Sequence, residues 1–465
     1  MDTPTTVVIL AAGLGTRMKS KRAKVLHEVG GKSLLAHVVA SAQQIASPEN
    51  IVVVVGYQAE EVRKAVPVPG LVFVHQAEQK GTGHALMVAA EELARREGLL
   101  LILYGDCPMI RAETLAGLVQ AQSQADDQTA GTMLTALMED PTGYGRVLRD
   151  SHGRVTGIVE QRAATSEQLQ IREANMGLYC FRMDLFLNYL GKIRPDNPAR
   201  EYYLTDVVQL LACAGYRIET VQVEDPREVL GINNRLELAA IDRYFRERKV
   251  TELMLDGVTI EKPETVTVDA EVRIGPDTVI EPFARILGGT RIGENCRIGS
   301  CSIIRDSELG DSVEVGAFTW INTSRLENNC RVGPYARLRM ENHLAAGAQV
   351  GNFVELKKTV LGAGSKAQHL AYLGDATIGT GVNIGAGTIT CNYDGQKKYP
   401  SCIADGAFVG SNSTLVAPLE IGPNSYIAAG SVITDPVPAD ALALGRERQV
   451  VKQDWARKRR ERKFS

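Results

Sequence analysis

The sequence lacks the features that mark secreted, membrane-spanning or zinc-binding proteins. Its eight cysteines form no C-x-x-C pair and show no metal-ligand spacing. No stretch approaches the ~18 unbroken apolar residues of a transmembrane helix, and "MDTPTTVVILAAG" lacks a basic segment followed by a signal-like apolar run. We therefore expect a cytoplasmic protein with reduced thiols and no membrane insertion.

An excess of one charge is also lacking. The 52 Lys and Arg residues nearly balance the 55 Asp and Glu residues, so the net charge of −3 gives no sign of a nucleic-acid or membrane partner, and we expect neither. The exception is "RKRRERKF", Arg457 to Phe464. We expect a solvated tail there, and binding of the anionic end of a substrate is the alternative.

Aromatic residues are scarce at 5%, whereas glycine is abundant with 44 residues. This composition indicates an aliphatic architecture punctuated by glycine in part of the chain. The 465 residues exceed what one core usually holds, so two or three domains are expected.

Residues 1–235 alternate between predicted strands and helices. The strands are apolar throughout, as in "TTVVILAAG", "IVVVVG", "LVFVHQ" and "LLLILYGD", and helical patterns such as "GHALMVAAEELARRE" separate them. Strands covered on both faces are typical of a parallel sheet. The pattern predicts an open, doubly wound, Rossmann-like α/β domain that binds ligands beyond the carboxyl ends of its strands. Residues 236–256 are predicted to form one connecting helix with an apolar face.

Residues 257–465 follow a six-residue period. Aliphatic residues hold one phase over Ile274, Ile280, Ile286, Ile292, Ile298 and Ile304, and the count resumes after short slips. This period predicts a parallel β-helix of hexapeptide repeats that share one core. The count fails between Leu356 and Ile378 and again at Cys391 to Ser401. We interpret the first break as a site and the second as a projecting loop, although repeats alone indicate no chemistry.

The stretch "LAAGLGTRMKSKRAKVLHEVGGK" carries the first chemical signal. Gly13, Gly15 and Thr16 form a small-residue loop after a strand, where backbone N–H groups can approach a phosphate. Arg17 and Lys24 add the positive charge that a leaving pyrophosphate needs. The run does not match a Walker-type phosphate loop.

Several motifs together resemble the sugar-nucleotide pyrophosphorylase family. They are "LAAGLGTRM…KVLH", "QAEQKGTGHA", "YGDCPMI", "TGYGRV", "VEQRAA" and "GINNR". Their order and spacing resemble the bifunctional uridylyltransferase/acetyltransferase members, which make UDP-N-acetylglucosamine for cell-wall peptidoglycan and lipopolysaccharide. The likeness extends over the hexapeptide half. Leu14 departs from the pattern, since relatives often have a basic residue there.

The resemblance implies an Mg²⁺-dependent transfer of UMP from UTP to N-acetylglucosamine 1-phosphate, with Arg17 and Lys24 as catalytic cations. The implied uracil and ribose contacts are Leu10, Ala11, Ala12, Gly13, Gln76, Gly81 and Thr82, beside Tyr104 and Gly105. The implied sugar ligands are Gly145, Glu160 and Asn175, and the implied Mg²⁺ ligands are Asp106 and Asn233. Asp106 also ends an apolar strand, which favours a metal ligand over a helix cap. An exposed strand carboxylate remains the alternative for Glu160, and a turn residue for Asn233.

The second chemical signal is a histidine in the repeat half. Acetyl transfer to an amine needs a base that removes a proton from the ammonium group, and neutral imidazole suits this task. Only His343 and His369 lie in the repeats. His343 lies within the regular period, so we interpret it as a surface or loop residue. His369 lies in the break, and Glu355 is a candidate to orient its ring.

The repeat half resembles the hexapeptide acyltransferases. The resemblance implies a left-handed β-helix, a homotrimer and active sites between subunits. It assigns glucosamine 1-phosphate binding to Arg339, Lys357, Tyr372 and Asn383, and acetyl-coenzyme A binding to Ala386, Asn392, Tyr393, Ser411, Ala429 and Arg446. Ser411 is a candidate oxyanion donor. The alternative for the Lys and Arg residues is a solvated surface charge, and the alternative for the Ala and Ser residues is a place in a tight turn. Cys391 is interpreted as a packing residue.

Three functions fit these patterns. The first is a bifunctional acetyltransferase and uridylyltransferase. The second is a nucleotidyltransferase whose β-helix is only structural or regulatory, and the third is a non-enzymatic assembly subunit. The glycine loop and Asp106 disfavour the third, and the group of His369, Lys357 and Arg339 disfavours the second. We therefore favour the bifunctional enzyme.

Overall fold

The computed structural model describes residues 3–462, so the end of the basic stretch at Phe464 lies outside the described residues. The chain forms two compact units that divide between Arg243 and Tyr244. This division falls within a 21-residue helix, Arg235–Leu255. Among residues 3–462, no helix is both long and apolar enough to cross a membrane.

The first unit is built on a nine-stranded mixed sheet. Along its main path the strands are parallel, except that Glu173–Arg182 runs antiparallel to both neighbours. The hairpin of Gly145–Arg149 and Val155–Val159 pairs with this strand at the side. The main path runs, in spatial order, through Arg217–Gln222, Thr129–Leu137, Glu173–Arg182, Leu99–Tyr104, Thr5–Ala11, Ile51–Val55 and Val72–His75.

The central strands form because their side chains are apolar on both faces. Along Thr5–Ala11, Val8 and Leu10 belong to one core cluster, whereas Val7 and Ile9 belong to the cluster on the other face. Strands buried on both sides are typical of doubly wound folds, and the predicted fold class is confirmed. The antiparallel strand was not distinguished from the sequence, because a buried strand of either direction has the same apolar run.

Helices cover this sheet. The α-helices are Leu34–Ala42, Ala59–Ala65, Thr82–Leu93, Ala112–Ser123, Met183–Leu190 and Asp206–Cys213. Short 3-10 turns lie at Thr16–Met18, Lys24–Leu26, Pro48–Asn50, Gln168–Gln170 and Pro226–Val229, and a small hairpin joins Glu28–Val29 to Lys32–Ser33. Several of these elements begin directly after the carboxyl end of a strand, which is where the site residues lie.

The second unit is a coil of short strands in which a strand pairs in parallel with the strand three positions later, except that Tyr426–Ile427 pairs with Leu442–Ala443, two positions later. Three sheets result, and their arrangement is consistent with the expected left-handed β-helix of hexapeptide repeats. The first sheet contains Thr259–Ile260, Val279–Ile280, Arg297–Ile298, Glu314–Val315, Arg331–Val332, Gln349–Asn352, Lys366–His369, Asn383–Ile384, Phe408–Val409, Tyr426–Ile427 and Leu442–Ala443.

The other two sheets repeat this pattern. The second contains Thr267–Val268, Arg285–Leu287, Ile303–Arg305, Trp320–Asn322, Arg337–Leu338, Glu355–Lys357, Tyr372–Gly374, Ile389–Cys391, Thr414–Val416 and Val432–Ile433. The third contains Arg273–Ile274, Arg291–Ile292, Glu308–Leu309, Ser324–Leu326, Asn342–Leu344, Val360–Leu361, Ala376–Ile378, Ser401–Ile403 and Leu419–Ile421. A 3-10 turn, Pro263–Thr265, and the helix Trp455–Glu461 complete the unit.

The predicted break between Leu356 and Ile378 was wrong. Leu361, Ala367 and Leu373 point into the core in this interval, and each is fully buried. Ala367 is in register with Val350 on one side and Ile384 on the other. The coil is therefore continuous. Two five-residue steps, from Leu356 to Leu361 and from Leu373 to Ile378, and the small inward side chain of Ala367 interrupt the six-residue pattern of large aliphatic residues.

The second predicted interruption is a real excursion. Ala376 pairs with Ser401, a separation of 25 positions, whereas Val360 pairs with Thr377, a separation of 17. The extra residues follow the strand Ile389–Cys391 and fold back through a bridge between Tyr393 and Lys398. The loop therefore leaves the coil without disturbing the register of its sheets.

Candidate active sites

The glycine loop of the first unit fits closely against Lys24. Gly15 adopts a left-handed conformation with φ of 62°, and a Cβ there would lie 2.6 Å from Cβ of Lys24. Both the positive φ and the close approach favour glycine at this position. At Gly13, by contrast, a Cβ would meet nothing within 4 Å, so that glycine leaves open space beside the strand end.

A network of charged and amide groups lies at the carboxyl ends of the central strands. The ammonium group of Lys24 pairs with the carboxylate of Asp106 and donates a hydrogen bond to Oδ1 of Asn233 at 2.9 Å. Arg17 donates to the same Oδ1 at 2.8 Å. Glu237 accepts a hydrogen bond from the backbone N–H of Asn233 at 2.6 Å, which helps to hold this turn. Residues from three distant parts of the sequence thus meet at one point.

The donor set at this point fits a hard divalent cation. Oxygens of Asp106 and Asn233 converge on one position, which the Lys24 ammonium group fills. Within residues 3–462, no group of three or more His, Cys, Asp or Glu side chains forms a metal site. Mg²⁺ commonly binds through one or two protein oxygens and completes its shell with water and substrate phosphates, so these two ligands are sufficient for it.

The strand ends contribute backbone and small side chains beside this network. Leu10, Ala11 and Ala12 are at least nine-tenths buried. Gly105 donates its N–H to the carbonyl of Leu10 at 2.9 Å, which joins two strand ends. Leu14 is half exposed. These residues, which are small or apolar, therefore lie next to the charged network at the strand ends.

A second group lies at the start of the helix Thr82–Leu93. Gln76 is buried, and its Nε2 donates to the carbonyl of Gly81 at 3.3 Å. The hydroxyl of Thr82 accepts a hydrogen bond from the N–H of Leu204 at 3.1 Å. Burial raises the pKa of Tyr104 above its usual range, so the phenol remains neutral. The group is adjacent to the strand ends and presents neutral hydrogen-bonding groups.

The predicted sugar ligands lie on neighbouring strands. Asn175 is in register with Gly145 in an antiparallel pair, and a Cβ on Gly145 would lie 3.7 Å from a carboxylate oxygen of Glu160. The hydroxyl of Thr205 donates to Glu160 at 3.2 Å. Burial raises the pKa of Glu160 above its ordinary value. The structure thus brings these residues together around a largely buried carboxyl group.

One corner of the β-helix aligns several residues predicted for acetyl transfer. Backbone hydrogen bonds connect each coil to the next at this corner. The carbonyl of His369 accepts from the N–H of Gly387 at 3.3 Å, and the carbonyl of Ala386 accepts from the N–H of Asn412 at 2.7 Å. The carbonyl of Ser411 accepts from the N–H of Gly430 at 2.8 Å. His369, Ala386, Ser411 and Ala429 therefore lie on successive coils along the helix axis. With about 4.8 Å between coils, this column spans roughly 14 Å, which suits an extended chain such as a pantetheine arm.

The column continues beyond Ala429. A Cβ on Gly430 would lie 3.7 Å from Cδ of Arg446, so the arginine side chain lies next to the end of the column. At the other end, His369 is exposed and lies in register with Asn352. The column therefore has an exposed imidazole near one end and a guanidinium group near the other.

The sheet beside this corner carries the predicted sugar-phosphate ligands. Glu355 and Tyr372 are register partners on adjacent coils. The carboxylate of Glu355 pairs with Arg339 at 3.2 Å and with Arg337 at 3.5 Å. Among the described residues no hydrogen bond joins Glu355 to His369, so its predicted orienting role stays a prediction.

A cluster of cations lies at the next corner. The ammonium group of Lys357, which is 7% exposed, pairs with Asp375 at 3.2 Å. Asn392 donates to the same carboxylate. Lys398 contacts Lys357, and this neighbouring ammonium group lowers the pKa of Lys398. Arg339, which pairs with Glu355, lies close enough to lower this pKa further, so three cations lie near one another at this corner.

Asp375 and Lys398 were missed from the sequence. Asp375 follows Gly374 in a regular turn and resembles any other turn aspartate. Lys398 lies in the predicted projecting loop, and the two lysines of "QKKY" within this loop were the available signal. Tyr393, from the same loop, is exposed and donates its hydroxyl to the carbonyl of Gly395.

Two residues lie apart from this group. Asn383 projects from the first sheet, where its register partners are Lys366 and Phe408, whereas Tyr372 lies on the second sheet. His343 lies on the third sheet and forms a hydrogen bond with Glu327 at 2.8 Å. This bond lowers the pKa of Glu327. Within one chain, Asn383 is therefore on a different face from the other predicted sugar-phosphate ligands.

Two protein families match parts of the chain. Residues 7–171 match the MobA-like NTP transferase domain. Residues 271–306 match the bacterial transferase hexapeptide family, with six repeats. The first match covers the glycine loop, Asp106, Gly145 and Glu160, and it ends before Asn175. The second lies in the first coils of the β-helix, ahead of His369.

Several curated relatives align over nearly the whole chain. A bifunctional protein GlmU from Solibacter usitatus is 61% identical over 99% of this chain and 98% of its own length. A bifunctional protein GlmU from Koribacter versatilis is 48% identical over 98% and 97%. One from Carboxydothermus hydrogenoformans is 44% identical over 97% and 99%. The similarity therefore includes both units and the helix between them.

Proposed function

Because this chain belongs to the GlmU family of bifunctional transferases, we propose that its two units catalyse successive steps in UDP-N-acetylglucosamine synthesis. The second unit transfers an acetyl group from acetyl-coenzyme A to glucosamine 1-phosphate. The first unit then transfers UMP from UTP to N-acetylglucosamine 1-phosphate and releases pyrophosphate. The observation that carries the proposal is that predicted residues lie together in each unit: Lys24, Asp106 and Asn233 in the first, and the column of His369, Ala386, Ser411 and Ala429 in the second.

Uridylyl transfer requires alignment of several anions. An oxygen of the sugar phosphate forms a bond to the α-phosphorus of UTP, and the bond from that phosphorus to the bridging oxygen of pyrophosphate breaks. Lys24 and Arg17 neutralise the phosphates and hold them in line. Asp106 and Asn233 would hold Mg²⁺, which supplies further charge neutralisation at the phosphate oxygens. Gly145, Glu160 and Asn175 would orient the sugar.

Acetyl transfer requires a free amine. The imidazole of His369 accepts a proton from the ammonium group of glucosamine 1-phosphate. The nitrogen then attacks the thioester carbonyl, the carbon–sulfur bond breaks, and coenzyme A leaves as a thiol after gaining a proton. Ser411 is proposed to stabilise the oxyanion. Lys357 and Arg339 are suited to the sugar phosphate, because Asp375 and Glu355 leave part of their charge available.

A homotrimer accounts for the position of Asn383. In one chain this residue faces away from Tyr372, and a neighbouring copy could bring an equivalent face to the same site. We also infer a cytoplasmic location, since all eight cysteines are free thiols. Light scattering tests the assembly directly, because a monomer at assay concentration would reject sites shared between subunits.

A reconstitution experiment tests the two activities together. The purified chain is incubated with glucosamine 1-phosphate, acetyl-coenzyme A, UTP and Mg²⁺, and UDP-N-acetylglucosamine is quantified. We expect that omission of any one of these components prevents product formation. We also expect that N-acetylglucosamine 1-phosphate can replace glucosamine 1-phosphate and acetyl-coenzyme A together. Product formation only from N-acetylglucosamine 1-phosphate would support a single-activity nucleotidyltransferase instead.

A further inference from the structure

The side-chain amide of Gln76 is held on its nitrogen side by two acceptors. Nε2 donates to the carbonyl of Gly81 at 3.3 Å and contacts Nδ1 of His84 at 2.9 Å. The side chain is 3% exposed. Its backbone N–H donates to the carbonyl of Val55 at 2.8 Å, which fixes it at the end of the strand Val72–His75. Both the backbone and the side chain of Gln76 are therefore positioned before any ligand binds.

These contacts determine which end of the amide faces a ligand. A carbonyl oxygen can only accept a hydrogen bond, so the group beside Gly81 must be the NH₂ of Gln76. This NH₂ has two hydrogens, and the second points to Nδ1 of His84. That nitrogen must therefore be an acceptor, which places the ring proton on Nε2 of His84. With both hydrogens engaged, Oε1 of Gln76 is left to accept from a ligand.

We propose that His84 is a positioning residue that sets the base preference of the nucleotide site. The proposal rests on the proposed function, in which Gln76 reads the base of UTP. Uracil carries a hydrogen on N3 and can donate to Oε1 of Gln76, whereas N3 of cytosine has no hydrogen and can only accept. A site that places an acceptor opposite N3 therefore selects uracil, and a released amide could rotate to offer its NH₂ to N3 of cytosine.

The fold holds His84 firmly enough for this role. It lies in the first turn of the helix Thr82–Leu93, and the preceding Gly83 donates its N–H to the carbonyl of Tyr202 at 2.8 Å. The rings of His84 and Tyr202 lie 6.2 Å apart. Gly81 has a φ of 108°, and a Cβ there would lie 2.5 Å from the Tyr202 carbonyl oxygen. The helix start is thus anchored to a separate segment.

Two variants test the role. His84→Ala removes the acceptor, whereas His84→Asn keeps one, because Oδ1 of asparagine can occupy nearly the position of Nδ1. The kcat/KM values for UTP and CTP are measured by pyrophosphate release with N-acetylglucosamine 1-phosphate. We expect His84→Ala to lower the preference for UTP over CTP about tenfold, which corresponds to one hydrogen bond. His84→Asn should restore most of this preference, and acetyl transfer should be unchanged in both variants.

Other outcomes separate the proposal from the function on which it rests. An equal loss of kcat/KM for both nucleotides in His84→Ala, with their ratio unchanged, would overturn the positioning role and indicate a structural one. Failure of the unaltered protein to release pyrophosphate from UTP would reject the proposed function. Equilibrium binding of UTP and CTP to the same three proteins would then still decide whether His84 sets the preference.

Discussion

The ammonium group of Lys24 forms an ion pair with the carboxylate of Asp106, and both side chains are largely buried, with 14% and 20% exposure. Oδ1 of Asn233 accepts a hydrogen bond from the same ammonium group, so the Asp106 carboxylate and the Asn233 amide oxygen bind one cation together. Asp106 therefore holds the positive charge of Lys24 at the strand ends. In the proposed reaction, this position is where Lys24 and Mg²⁺ act beside the same phosphates.

The first prediction concerns Asp106→Asn, which keeps the size of the side chain and removes its charge. We expect uridylyl transfer to fall by about a hundredfold or more, because the charge that holds the cation is lost. Acetyl transfer should be unchanged. The control is Asp126→Asn, which removes a surface carboxylate paired with Arg217 in the same unit and should leave both activities intact. Pyrophosphate release measures the effect, and full activity in Asp106→Asn would contradict the metal assignment.

The second prediction concerns His369→Ala. We expect acetyl transfer to fall by about 10²–10⁴-fold, since a general base typically contributes this much, while pyrophosphate release from UTP persists. The matched control is His343→Ala, which removes the other histidine of the β-helix, one bonded to Glu327. The control should retain both activities. If His369→Ala abolished both reactions in a folded protein, the two-site assignment would fail.

Much of the fold followed from simple periods in the sequence. Ile9 and Val53 lie in fully apolar runs, and such runs predict strands buried on both faces. Ile280 and Ile298 repeat with a fixed spacing, and this spacing predicts stacked coils. The failure at Ala367 has a physical reason: the coil accepts a methyl group at an inward position, but a pattern of large aliphatic residues does not register it.

The candidate sites were predictable in part, for a different reason. Lys24 and Asp106 follow strand ends, and the ends of parallel strands meet at one edge of a sheet. Asp375 and Lys398 were not predictable, because their partnership with Lys357 depends on coil stacking and on the path of a loop. Contacts between residues separated by one coil have no signature in local composition. The coordinates were needed to bring them together.

The third prediction concerns Gly15→Ala. The added Cβ would need a left-handed backbone and would lie 2.6 Å from Cβ of Lys24, so we expect a loss of stability of about 1–2 kcal/mol and displacement of Lys24. Gly13→Ala is the stability control, because its Cβ meets nothing within 4 Å. Denaturant unfolding measures the difference. Equal stability of the two variants would contradict the close fit at Gly15.

The fourth prediction concerns Asp206, which begins the helix Asp206–Cys213. Burial and the nearby Glu160 raise the pKa of Asp206 to about 6, above the value of about 3.9 expected in the unfolded chain. Between these values the folded state holds a proton that the unfolded state has lost. The stabilisation from this group is therefore present below about pH 4 and is lost as the pH rises through about 6.

The measurement compares unfolding of the unaltered protein and Asp206→Asn, followed by far-ultraviolet circular dichroism. We expect the variant to gain about 1 kcal/mol relative to the unaltered protein between about pH 4 and about pH 8, a value reduced for the partial exposure of Asp206. Asp184→Asn, at an exposed position in the first turn of Met183–Leu190, should show no such gain. A gain of equal size in both variants would assign the effect to helix ends in general rather than to burial beside Glu160.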